Sequence, residues 1–120
     1  MHRKLTKPLM KIVNLKEGMP LVHQAMSHMQ RELRRAEIDG VKVIKFVHGY
    51  GSTGVGGEIR IAVQNGLLRR KSQGELTTVI FGEDWRISNE TTWELLKQMP
   101  DLKYDSDLGR ANRGITIVVL

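Results

Sequence analysis

The run Val41-Lys-Val-Ile-Lys-Phe-Val47 leads directly into His48-Gly-Tyr-Gly-Ser-Thr-Gly-Val-Gly-Gly57, of which half is glycine. The first piece is β-branched and apolar enough to be a strand. The second cannot continue a strand, so the chain must turn there. After it, Ile59, Ala62, Val63 and Leu67 recur at helical spacing, in a helix expected to fade near Gly66. A strand, a glycine turn and a helix in succession form the unit of an α/β fold.

The rest of the chain has the same alternation. Lys11 to Lys16 reads as a short strand, and Glu17-Gly18-Met19-Pro20 as a turn, with Pro20 suited to the first turn of a helix. Val22, Ala25, Met26, Met29, Leu33 and Ala36 then form one apolar stripe, which should stop at Asp39-Gly40, where glycine allows a left-handed cap. Thr77 to Phe81 is a third strand. Asn89 or Thr91 could cap a short helix through Trp93, Leu95, Leu96 and Met99, ended by Pro100, and Gly114 to Leu120 is a last strand. The order β-α-β-α-β-(α)-β predicts an α/β two-layer sandwich on a four-stranded mixed sheet.

At 120 residues the chain fits one domain, here 11–120 after a basic segment 1–10, with a long polar connection at about 83–113. It has no cysteine, which excludes disulfides, a zinc ribbon, Cys-ligated iron–sulfur clusters and thiol catalysis. Without an 18-residue apolar run or a signal-peptide core, no membrane partner is expected, and a cytoplasmic location is. The net charge of +6 favours polyanion partners such as DNA or RNA.

Gly49-Tyr50-Gly51-Ser52-Thr53-Gly54 formally matches G-x-G-x-x-G, but the chain is too short for a two-halved dinucleotide fold. Aligned as a phosphate loop, Gly57 falls where lysine belongs and Glu58 where a magnesium-binding hydroxyl does, which excludes that mechanism. A more general reading survives. Glycines let backbone approach a ligand, and the first amides of the next helix attract anions. His48 precedes the loop and Arg60 follows it, so imidazole, amides and guanidinium are expected to converge on one phosphate. Tyr50 is the aromatic best placed to stack on a base.

These motifs resemble the Smr (small MutS-related) domain found at the C-terminus of MutS2-type proteins, in which a strand ends in H-G-x-G-x-G followed by Leu-Arg. Here the run is His48-Gly49-Tyr50-Gly51-Ser52-Thr53-Gly54 with Ile59-Arg60, the loop being extended by Val55-Gly56-Gly57. Gly114-Ile-Thr116-Ile-Val118-Val-Leu120 fits the family's last strand, G-x-T-x-V-x-L. The family's first motif, L-D-L-H-G or L-D-L-R-G, falls on Val13-Asn14-Leu15-Lys16 and Gly18, with Asn14 in place of the acid. The resemblance implies a fold similar to the C-terminal domain of bacterial translation initiation factor three, and binding of DNA or RNA. It further implies either nicking or RNA-cleaving endonuclease activity, with His48, Lys16 and Arg60 as catalytic groups, or ribosome or protein docking without catalysis. Asn14 and the loop from Gly49 to Gly54 would hold phosphate. Asn14 can serve neither as base nor as good metal ligand, which favours binding without efficient cleavage.

Arg34 and Arg35, with Arg31, share part of a helix surface and are further candidates for nucleic-acid contact, as is Arg69-Arg70-Lys71. Glu83, Asp84, Asp101, Asp105 and Asp107 read as turn and cap residues rather than a magnesium site. His23 and His28, five apart on a helix, face different directions, so neither metal nor cofactor is expected. Trp85 and Trp93 are expected to pack the inserted segment against the core.

Overall fold

The structure, a computed structural model, describes residues 8–51 and 54–120. Four strands form one mixed sheet: β1 (Lys11–Asn14), β2 (Val43–Val47), β3 (Thr78–Phe81) and β4 (Ile115–Val119), in the order β1-β2-β4-β3. β1 and β2 run parallel, whereas β4 is antiparallel to both β2 and β3. The C-terminal ends of β1, β2 and β3 therefore lie along one edge, beside the start of β4. Asn14, Val47 and Ile115 form one row of that edge, and Phe46, Thr116 and Phe81 the row beneath it.

Helix α1 (Val22–Asp39) and helix α2 (Gly54–Ser72) both leave from this edge and return along one face of the sheet. The α1 stripe is used as its spacing predicts: Ala25, Met29, Leu33 and Ala36 are buried, and Gly40 caps the helix at φ 73°. Pro20 stands just ahead of the helix rather than in its first turn, with Leu21 at the N-cap and its N–H held by Gln24 Oε1 at 2.8 Å. α2 differs from expectation at both ends. It starts at Gly54, inside the glycine-rich stretch, and passes through Gly66 to Ser72. Gly66 is tolerated because α1 crosses there: a Cβ would lie 2.8 Å from Met26 Cε.

The helices α1 and α2 over one face form the expected sandwich, and the segment after β3 adds a layer on the other face. A 3-10 turn (Gly82–Asp84), α3 (Glu90–Gln98, with Asn89 rather than Thr91 as cap) and a second 3-10 turn (Pro100–Tyr104) cover the sheet there. Trp85, Leu95, Leu96 and Leu102 bury against Val43, Ile80, Ile115 and Ile117. Trp85 is fully buried, but Trp93 is half exposed and is not part of that cluster.

An ion pair locks this layer. Lys45, in the middle of β2, is buried and bonds Asp105 at 2.7 Å and Asp107 at 2.6 Å. Asp105 also accepts from Trp85 Nε1 at 2.9 Å. These aspartates are thus the counter-charges of a buried lysine, where turn chemistry alone is expected. Among the described residues no group of His, Asp and Glu could hold a metal ion, and no helix is long and apolar enough to cross a membrane.

Candidate functional site

The loop after β2 lies at the edge where three strands end. Gly114 holds its root: its carbonyl accepts from the His48 and Gly49 N–H groups, both at 3.0 Å. Gly49 has φ 75°, a conformation that suits glycine, and its missing Cβ leaves room for the Lys16 stem, whose Cδ would be 3.2 Å away. Lys16 thus reaches the loop from β1. Asn14 sets it there by accepting the Lys16 backbone N–H at 3.0 Å, so its amide closes an Asx turn.

His48, whose imidazole the sequence reading expects to meet a phosphate, is instead buried with both ring nitrogens in use. Nδ1 lies 2.7 Å from the Gly49 carbonyl, which can only accept, so Nδ1 carries a proton. Burial is the main cause that lowers the His48 pKa below 6.5, with the Arg60 charge adding to it and the Gly49 carbonyl and Glu83 opposing. In the neutral ring Nε2 accepts from Thr116 Oγ1 at 2.9 Å. The Thr116 hydroxyl in turn accepts from Gln64 Nε2 at 3.3 Å, and Gln64 Oε1 accepts from Arg60 Nη1 at 3.4 Å. The imidazole therefore ends a directed chain that fixes the Gln64 amide and, through it, Arg60.

Arg60 sits at the outer end of that chain. Its Nε donates to the Tyr50 carbonyl at 3.3 Å, and its guanidinium lies over the Tyr50 ring, 5.0 Å from the centroid. Arg113, just before β4, lies over the same ring at 5.7 Å and donates to the Tyr50 hydroxyl at 3.3 Å. Tyr50 is half exposed but organises two cations, so the ring is less free to stack than expected. Among the described residues Lys16, Arg60 and Arg113 form no salt bridge. The hydrogen bond to Tyr50 is the main cause that raises the Arg113 pKa, and the Glu83 carboxylate adds to it while opposing the lowering at His48. Glu83 Oε1 is buried without a hydrogen-bond partner.

Of the residues expected at one site, the structure joins Lys16, Asn14, His48, Gly49, Tyr50, Gly51 and Arg60. Ser52 and Thr53 lie outside the described residues, and Gly54 opens α2. Arg34 and Arg35 do not belong to this edge. They sit about 18 Å along α1 from its start, where Arg34 lines a cleft of about 260 Å³ with Arg70 and Glu75. The reason is topological, since α1 leads away from the edge at which β1 ends. Sequence reading misses Gln64, Arg113, Glu83 and the hydrogen-bonding role of Thr116. Two signals were available: Gln64 interrupts the apolar stripe of α2, and Thr116 shares a sheet face with Val118.

The fold is similar to the crystal structure of the Smr domain of Thermus thermophilus MutS2, with a TM-score of 0.57 at 21% identity, covering 92% of this chain and 96% of that one. No family model and no curated protein matches the sequence. His48 and Thr116, from two of the motifs that carry the sequence resemblance, meet in one hydrogen bond, and over 92% of its length the chain has the fold of an Smr domain.

Proposed function

We propose that this chain is a nucleic-acid-binding module that grips a phosphate backbone at the edge formed by Lys16, the Gly49–Gly51 loop, Arg60 and Arg113. The observation that carries this reading is the pair of guanidiniums held over Tyr50 without a salt bridge to any described residue. Like charges repel, so such a pair is stabilised by an anion between or beside its members. The start of α2 at Gly54 adds the partial positive charge of a helix N-terminus to the same edge.

Binding without cleavage is the function this geometry supports best. His48 spends both nitrogens on holding the loop and Thr116, so it acts as a positioning residue rather than a base. Asn14 is engaged in its turn. Arg34 and Arg35 enter the footprint only for a strand long enough to follow α1.

Fluorescence anisotropy with matched single-stranded and duplex DNA and RNA tests this reading. Affinity should fall steeply between about 50 and 200 mM salt, with a slope near −0.7 per phosphate contact on single strands. Arg60→Ala with Arg113→Ala should weaken binding at least about tenfold and flatten the slope by about 1.4, two contacts' worth. Unchanged binding in that double variant rejects the site. A strand-cleavage assay on the same oligonucleotides with magnesium or manganese should show no His48-dependent product.

A further inference from the structure

The turn between β1 and α1 carries a side chain that the phosphate grip does not use. Met19 is 93% exposed and has φ 52°, a left-handed conformation that costs a non-glycine residue about 1–2 kcal/mol. Its N–H donates to the Lys16 carbonyl at 3.2 Å, so Met19 closes a tight turn through Glu17 and Gly18 whose first residue lays its stem over Gly49. Leu21, two residues on, is also exposed. Met19 is therefore an unbranched apolar side chain, held away from its own core and placed one turn from Lys16.

We infer that Met19 is a wedge that enters between the bases of the strand whose phosphates Lys16, Arg60 and Arg113 hold. The inference rests on the nucleic-acid reading above and adds a base contact to it. Tyr50, the other candidate for that contact, is committed to two guanidiniums. A ligand anchored by its phosphates beside Lys16 presents its bases to the neighbouring surface, and there the projecting group is Met19. Apolar side chains of this kind enter base steps and unstack them, and methionine is flexible enough to fit any step. The occupant is a nucleobase step, recognised by its apolar faces and not by its sequence.

The test uses the full chain and oligonucleotides, DNA and RNA, with 2-aminopurine at successive positions, since unstacking raises its fluorescence. Wild type and Met19→Leu should both raise the signal at one step. Met19→Gly should abolish that rise and weaken binding about tenfold, the size of one lost base contact, while the salt slope stays unchanged. The glycine variant relieves the left-handed strain, so its melting temperature should equal or exceed that of wild type, and a folding defect cannot imitate the result. A signal that persists in Met19→Gly, one lost in Met19→Leu, or a slope that falls along with affinity overturns the wedge. Wild-type binding that is absent or independent of salt overturns the nucleic-acid reading itself, and the wedge with it.

Discussion

A proton that reaches the His48 ring turns Nε2 from acceptor into donor and forces the Thr116 hydroxyl to give up its own donation. The buried site resists this, mainly through desolvation, and the His48 pKa lies below its ordinary 6.5. The unfolded chain takes up this proton near pH 6.5 and the folded chain only at lower pH, so the unfolded state binds more protons in between. The stability due to neutral His48 is complete above about pH 6.5 and is lost as pH falls from there through the folded value. Thermal melting from pH 8 to 5 should show this decline in the wild type and its loss in His48→Gln. A second decline belongs to Glu32, whose hydrogen bond to Lys11 at 2.7 Å is the chief cause that lowers its pKa below 4.5. Its contribution is complete above that value and is lost as pH falls through the folded one. The sequence places His48 beside the loop. Which way its ring faces is decided by Gly49 and Thr116, the latter 68 residues away in the chain.

At the level of elements, two glycines that a sequence presents alike differ sharply in what they permit. At Gly82 a Cβ would fall 1.7 Å from the Asn112 carbonyl oxygen and 2.9 Å from Ile115. Backbone cannot step aside as a side chain can, so Gly82→Ala should destabilise the fold by about 2 kcal/mol or more and disturb Arg113 next to Asn112. At Gly66 the obstacle is the flexible end of Met26, and alanine gains about 1 kcal/mol of helix propensity, so Gly66→Ala should lie near neutral. Urea titration of the two variants separates these outcomes, and equal midpoints would contradict the contrast. The early start of α2 belongs to this scale too. Glycine propensity argues for a loop to Gly57, yet the helix begins at Gly54, because packing of its buried face outweighs a few unfavourable residues in the first turn.

Across the whole molecule, the segment between β3 and β4 builds part of the site. Lys45 grips Asp105 and Asp107, Asp107 Oδ1 accepts from Asn112 Nδ2 at 3.0 Å, and Asn112 Oδ1 accepts from the Gly114 N–H at 2.8 Å. That path runs from the added layer to the carbonyl that anchors the His48 loop. Lys45→Met leaves two carboxylates without their cation, and it should cost about 3–5 kcal/mol by urea unfolding. Replacing Asp105 and Asp107 by Asn in the same background should restore part of that loss. A single Lys45→Met variant as stable as the wild type would show that the pair locks nothing.

The sequence by itself determined the α/β order, the α1 stripe with its Gly40 cap, and the positions of Lys16, His48 and Arg60 around one loop. The element order, the stripe and the His48 and Arg60 positions follow from short-range periodicity, turn chemistry and the rule that consecutive elements pack together, whereas the place of Lys16 came from the resemblance to the Smr domain. Tertiary structure alone decided the rest: the second covered sheet face, the burial of Lys45 and His48, the arrival of Arg113 and Glu83, and the separation of Arg34 and Arg35 from the site. Those depend on strand register and on which end of the sheet each helix leaves, and pairings between residues distant along the chain set both.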